Sequence, residues 1–196
     1  MLQKLLIATR NKKKKRELQA ILGGWDINLI TLDETEEIPE IEEDGTTFAE
    51  NAIKKALYYS AWTDDALIAD DSGLEVDALG GEPGVRSARY SPQGTDAANN
   101  ALLLENLRDE AIRTARFVCV IALARRGELI AVFHGEVEGR ILDAPRGVAG
   151  FGYDPLFFYE PFGLTFGEAS EESKLAVSHR GRAFERLLAY LQSNPS

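Results

Sequence analysis

Short apolar runs alternate along this chain with stretches whose apolar residues recur at helical spacing, and this alternation constrains the fold more than any other feature. Leu5–Ala8 reads as a strand ending at Thr9-Arg10-Asn11. Asn11 is a good N-cap for a helix over Lys12–Leu22, with Leu18, Ile21 and Leu22 as its buried stripe. Gly23-Gly24 ends it. Ile27–Leu32 reads as a second strand, followed by the acidic loop Asp33–Gly45. Thr46 or Thr47 caps a helix running to about Trp62, with Phe48, Ala49, Ala52, Ile53, Ala56 and Leu57 facing inward. Ala66–Ala69 is a third strand that runs into Asp70-Asp71-Ser72-Gly73, and Leu74–Leu79 extends as another before the loop Gly80–Pro92. Asp96–Leu107 reads as a helix. Ala115–Ala124 and Glu128–Val137 form a two-stranded ribbon turning at Arg126-Gly127. Leu156–Tyr159 is a last strand, and the chain closes on a helix with Phe184, Leu187, Leu188 and Leu191 at helical spacing. Strands alternating with helices indicate an α/β fold, and the ribbon pushes it towards a mixed sheet. No repeat or linker interrupts residues 1–196, which read as a single two-lobed domain.

Charge narrows the function classes. The net charge of −10 argues against broad binding to nucleic acid. Its distribution says more. Residues 1–16 hold seven cations and no acid, whereas residues 33–50 hold nine acids and no cation. A basic segment beside an acidic one suits a polyphosphate with its magnesium, if the fold brings them together. The competing reading is two solvated surface segments. No apolar run approaches the roughly 18 residues of a membrane span, and Met1–Asn11 is too short and too soon followed by lysines for a signal peptide. Cys119 stands alone, so no internal disulfide forms. A cytoplasmic protein is the simple expectation.

Four segments can carry chemistry. Thr9, Asn11 and Lys14 lie at a strand-to-helix junction, where amides and a positive dipole end suit phosphate oxygens. At about 100° per residue, Lys14 falls nearest the buried stripe with Lys15 at its other edge, while Lys12, Lys13 and Arg16 point away. Asp70 and Asp71 follow a strand with their side chains on opposite sides. One can bind magnesium or orient water while the other supports it or the turn. As an isolated string this is more often a capped turn than an active site. The acidic loop adds Glu40, Glu42 and Glu43 as possible second metal ligands. Gly147–Pro155 offers close backbone approach, with Phe151 and Tyr153 as ring faces for a base. Lys174 and Ser178, four residues apart, share a helical face, with donors from His179 and Arg180 beside them. His134 has no partners in view and is given no role.

In this order the segments resemble the inosine/xanthosine triphosphate pyrophosphatases, the Ham1-like non-canonical purine NTP pyrophosphatases. The resemblance rests on Thr9…Asn11…Lys14, Glu42–Ala56, Ala69–Ser91, Phe151–Pro155 and Ser178–Ala183, and it runs nearly end to end. It implies an elongated α/β fold with a central mixed sheet flanked by helices, two lobes with a nucleotide cleft between them, and a homodimer. It also implies magnesium-dependent cleavage of ITP, dITP and XTP between the α and β phosphates, giving the monophosphate and pyrophosphate. Carried over residue by residue, Thr9, Asn11 and Lys14 match the triphosphate loop and Lys55 a phosphate-side lysine. Asp71 matches the general base and metal ligand, with Asp70 and Ser72 beside it. Phe151, Gly152, Tyr153 and Asp154 match the base-binding loop, and Lys174, His179 and Arg180 the donors that read the base. The second metal ligand aligns to Glu43 by its place before Asp44-Gly45, or to Glu40 by the Pro39-Glu40 pair. Glu43 is preferred and Glu40 stays open.

Two rival readings remain. A Maf-like pyrophosphatase acting on modified pyrimidines is disfavoured by the order of the motifs. A nucleotide-sensing or nucleic-acid-binding module around Lys12–Arg16 is disfavoured by the acidic loop and the net charge. Donors from Lys174, His179 and Arg180 would read a 6-oxo group, which guanine shares, so guanine must be refused at position 2. A backbone amide around Phe151-Gly152 is the expected device, set donor against donor towards the 2-amino group.

Overall fold

The structure, a computed structural model, describes residues 4–9, 11–22, 28–31 and 38–194. The expected helix stop at Gly23-Gly24, the ends of the second strand, the first part of the acidic loop and the side chain of Lys12 lie outside the described residues. The elements are β1 (Lys4–Ile7), α1 (Lys12–Leu22), β2 (Asn28–Thr31), α2 (Phe48–Ser60), β3 (Leu67–Val76), α3 (Asp96–Asn106), β4 (Thr114–Arg125), β5 (Glu128–Ile141), β6 (Phe157–Tyr159), β7 (Leu164–Thr165), α4 (Glu171–Val177) and α5 (His179–Ser193).

The strands form one seven-stranded sheet in the order β2-β1-β3-β4-β5-β6-β7. It is mixed, as the ribbon suggests: β1 pairs in parallel with β2 and β3, while β5–β6 and β6–β7 are antiparallel. The described residues group into two compact units. The first takes residues 1–71, 119–135 and 180–196; its core joins Leu5 and Ile7 to Leu18 and Leu22 of α1, Ile68 of β3, Ile121 of β4, and Phe184, Leu187 and Leu188 of α5. Leu6 and Leu67, the alternate residues of β1 and β3, are buried too, so both faces of these strands are covered. The second takes residues 72–118 and 136–179, around Leu74, Leu103, Phe117, Val137, Tyr153, Phe157 and Phe166.

Local chemistry accounts for the element ends. Asn11 accepts from the Lys13 and Lys14 amides at 3.0 and 3.3 Å, capping α1. Thr47 caps α2 in a reciprocal box with Glu50. Two expectations need correction. Asp70-Asp71-Ser72-Gly73 is not a turn after a strand, because β3 runs unbroken from Leu67 to Val76. Lys174 and Ser178 do not share a continuous helix: α4 ends at Val177, and Ser178 is extended (φ −68°, ψ 158°).

The β4–β5 ribbon closes as expected at Arg126-Gly127, both with positive φ (53° and 77°), the hand that matches strand twist. A methyl at Gly127 would meet only Ala61 Cβ at 3.6 Å, an ordinary contact, so the backbone alone resists substitution. Gly127→Ala should therefore lower stability by about 1–2 kcal/mol in urea unfolding. Wild-type stability in that variant would contradict the left-handed turn.

Candidate active site

Two clusters of polar residues emerge, one in each unit. The first is built on β3. The pleat sends Asp70 and Asp71 to opposite sides, and each meets a different environment. Asp70, 2% exposed, accepts an ion pair from Lys14 Nζ at 2.8 Å, with Arg180 Nη2 at 3.7 Å. Arg180 is itself buried and also pairs with Glu17 of α1. Burial works against the Asp70 charge, but Lys14, Arg180 and Lys55 outweigh it and hold the carboxyl well below the usual carboxylate range. Arg180 is likewise held charged against its burial by Glu17 and Asp70.

Asp71 meets a different partner. Its Oδ2 accepts from Asn51 Nδ2 at 3.0 Å, and burial pushes its carboxyl above the ordinary value despite Lys55, Lys14 and Asn51. Asn51, fully buried on α2, accepts with its Oδ1 from the Gly45 amide at 2.8 Å, tying the end of the acidic loop to the same residue. Lys55, one turn further along α2, donates to the Asp70 carbonyl at 2.7 Å and to Glu43 Oε1 at 3.0 Å. Burial opposes its charge, and Asp70, Asp71 and Glu43 more than offset that. Thr9 is buried, and its hydroxyl accepts from the Asn11 amide at 3.2 Å. Ser72 is half-buried.

This donor set can serve a hard cation. Asp71 and Glu43 act on each other electrostatically, and both offer only oxygen. Among the described residues no three His, Cys, Asp or Glu side chains are grouped to hold a metal alone. Magnesium does not need three, since it takes one or two carboxylates with waters and phosphate oxygens. Glu40 is exposed, while Glu43 is the glutamate joined to Lys55. Burial lifts the Cys119 thiol to about 12, which leaves it protonated and unsuited as a nucleophile.

The second cluster surrounds Phe151–Asp154. Lys174, 4% exposed on α4, donates to Asp154 Oδ2 at 2.6 Å, and its ammonium lies 5.0 Å from the Phe151 ring centroid. The same Asp154 oxygen accepts from the Phe151 amide at 2.8 Å. Gly150 (φ 73°) must stay glycine here, because a methyl would stand 2.1 Å from that oxygen. Phe151 is half-buried. His179 is buried and stacked on Phe117, with ring centroids 4.9 Å apart.

The matches to known proteins follow this geometry. The model of the Ham1 family matches residues 5–190. A dITP/XTP pyrophosphatase of Geobacter sulfurreducens is 52% identical over 191 residues, covering 96% of both chains. The chain belongs to the Ham1 family. Among solved structures, the Staphylococcus aureus Ham1 protein is 40% identical with a TM-score of 0.88, covering 97% of this chain and 98% of that one. A HAM1 protein from Coxiella burnetii is also 40% identical, with a TM-score of 0.90 over 99% and 100% of the two chains.

Three expectations for this Ham1 chain are revised by the geometry. Tyr153 does not present a ring face: it is 3% exposed in the core of its unit, and its hydroxyl donates to the Ser87 carbonyl at 2.9 Å. Arg180 is not an open donor: its guanidinium is buried and paired with counter-charges from Glu17 and Asp70. The amides of Phe151 and Gly152 do not stand ready for a base, since the first donates to Asp154 and the second to Asp96 at 3.0 Å. Sequence reasoning assigned no role to Glu17, Asn51 or Asp96. Asn51 was the most accessible of the three, lying one helical turn from Lys55 and hence on its face.

The helix register separates the lysines of α1. Lys14 reaches Asp70, Lys15 reaches the Thr31 hydroxyl at 3.0 Å, and Lys13 is exposed. Lys14→Ala should cost roughly 1.5–3 kcal/mol of stability through loss of a charged bond to a buried partner, and Lys13→Ala less than about 0.5 kcal/mol. Equal losses in chemical denaturation would mean that the run acts as a diffuse patch.

Proposed function

We propose that this chain, with residues 1–196 acting as one catalytic domain, hydrolyses non-canonical purine nucleoside triphosphates (ITP, dITP and XTP) to the monophosphate and pyrophosphate, and so removes damaged nucleotides from the precursor pool. The observation that carries the reading is the division between the two buried aspartates. Asp70 is locked as an anion by Lys14 and Arg180, whereas burial raises the Asp71 carboxyl above its ordinary value and leaves it the readier of the two to take a proton. The relative that is 52% identical, named a dITP/XTP pyrophosphatase, supports the substrate class.

In this mechanism water attacks the α-phosphorus in line, with pyrophosphate leaving. Asp71 accepts or orients the water proton, and Asn51 fixes its carboxylate while it does so. Asp71 and Glu43 would hold Mg²⁺, which supplies Lewis-acid polarisation of phosphate oxygens and a positive counter-charge. Glu40, exposed, is the weaker candidate. Lys14 and Lys55 balance the charge that develops on the leaving pyrophosphate, with Thr9, Asn11 and Ser72 as further phosphate-side contacts. At the base end Phe151 offers its ring, held by Gly152, Tyr153 and Asp154, and Lys174 and His179 supply donors for a 6-oxo group. Arg180 acts through Asp70 in this reading. Half-exposed Trp62, Leu129, Ile130 and Val132 in the first unit support a homodimer. Among the described residues no helix is long and apolar enough to cross a membrane. A cytoplasmic enzyme without nucleic-acid partners completes the proposal.

Turnover of ITP in ¹⁸O-labelled water with magnesium tests the route. The label should appear in the monophosphate, with pyrophosphate unlabelled and little free phosphate. Label in pyrophosphate would place attack on the β-phosphorus. Stoichiometric binding without turnover would support a sensing module instead.

A further inference from the structure

Hydrogen bonds hold three of the four amides of the Phe151–Asp154 turn. Phe151 N–H donates to Asp154, Asp154 N–H donates back to the Phe151 carbonyl at 3.2 Å, and Gly152 N–H donates to Asp96 Oδ2 at 3.0 Å. The Gly152 carbonyl is engaged as well, accepting from Asn100 Nδ2 at 3.0 Å. Asp96 and Asn100 are four residues apart on α3 and therefore share one face of it. A single helix face thus grips one peptide residue by its donor and its acceptor together. What the turn offers a flat ligand is the Phe151 ring, and stacking depends on where that ring is held.

We propose that Asp96 and Asn100 are positioning residues for base binding, holding Gly152 from both polar sides so that the adjacent Phe151 ring forms a fixed stacking platform for the purine. The inference rests on the reading of the Phe151–Asp154 turn as the base end of the site. Lys174 anchors the same turn through Asp154, so the turn is tied independently to α4 and to α3. Asn100 carries a cost at this position. Its Oδ1 is buried with no hydrogen-bond partner among the described residues, a cost to the folded state. Its bond to Gly152 is the contact that accounts for an amide at this position. Loosening the platform should weaken stacking of the base, and so weaken ITP binding, with little change in the chemical step.

The test is steady-state kinetics of the magnesium-loaded enzyme on ITP and GTP, with thermal unfolding measured in parallel. Asn100→Leu and Asp96→Ala should each raise KM for ITP by about threefold to tenfold. kcat should stay within about twofold, and KM for GTP should rise alongside, since a stacking platform serves any purine. Asp96→Asn keeps an acceptor oxygen and should recover most of the Asp96→Ala loss. Asn100→Leu removes the orphan acceptor, so its Tm should equal or exceed that of the wild type even as KM rises. The proposal is overturned by an unchanged KM, by Asp96→Asn as impaired as Asp96→Ala, or by a Tm of Asn100→Leu that falls in step with its KM. Wild-type enzyme that fails to cleave both ITP and XTP overturns the substrate reading itself, and this proposal with it.

Discussion

A fully buried carboxylate must find cations, and the first unit is arranged around the two that Asp70 finds. Moving an ion into a protein interior costs several kcal/mol unless partners and hydrogen bonds are supplied. Lys14 comes from the first turn of α1, Arg180 from the first turn of α5, and Glu17 closes the set by pairing with Arg180. Lys55 adds a bond from α2 to the Asp70 carbonyl. Three helices are thus pinned to one position of β3, and the charges that would face a triphosphate are fixed by the same contacts.

The neighbouring residue feels the same lysines but meets a different surrounding. The strand pleat turns Asp71 away from the Lys14–Arg180 pair and towards Asn51, a neutral donor. One carboxylate is therefore held firmly ionised and the other is left with a raised proton affinity, a difference set by environment and not by residue type. Asn51 extends the link to the acidic loop through the Gly45 amide, so Asp71 and the end of the loop carrying Glu43 are joined through one residue.

Helical periodicity made much of this legible. The stripe Leu18, Ile21 and Leu22 was enough to place Lys14 inward and Lys13 outward, because a helix register is a local property. The ribbon turn at Arg126-Gly127 was legible for the same reason. What the sequence hid was set by distant partners. Arg180 looks like a donor beside Lys174 and His179 until Glu17, 163 residues earlier, takes its guanidinium. The Gly152 amide looks available until Asp96, 56 residues away in sequence, accepts from it. Tyr153 looks like an open ring beside Phe151, but packing around Phe157 and Phe166 buries it. The strand through Asp70-Asp71-Ser72-Gly73 was misread as a turn because its Asp, Ser and Gly favour turns. Neighbouring strands and buried lysines override that preference.

The claim that two adjacent aspartates divide structure from chemistry is tested most directly by measuring unfolding free energy and ITP turnover for Asp70→Asn and Asp71→Asn side by side. Asp70→Asn leaves Lys14 and Arg180 short of a counter-charge and should cost roughly 3–5 kcal/mol of stability. Asp71→Asn should keep wild-type stability within about 1 kcal/mol and lose turnover by a factor of order 10²–10⁴. An Asp71→Asn enzyme that retains a substantial part of its turnover, or an Asp70→Asn protein as stable as the wild type, would contradict the account.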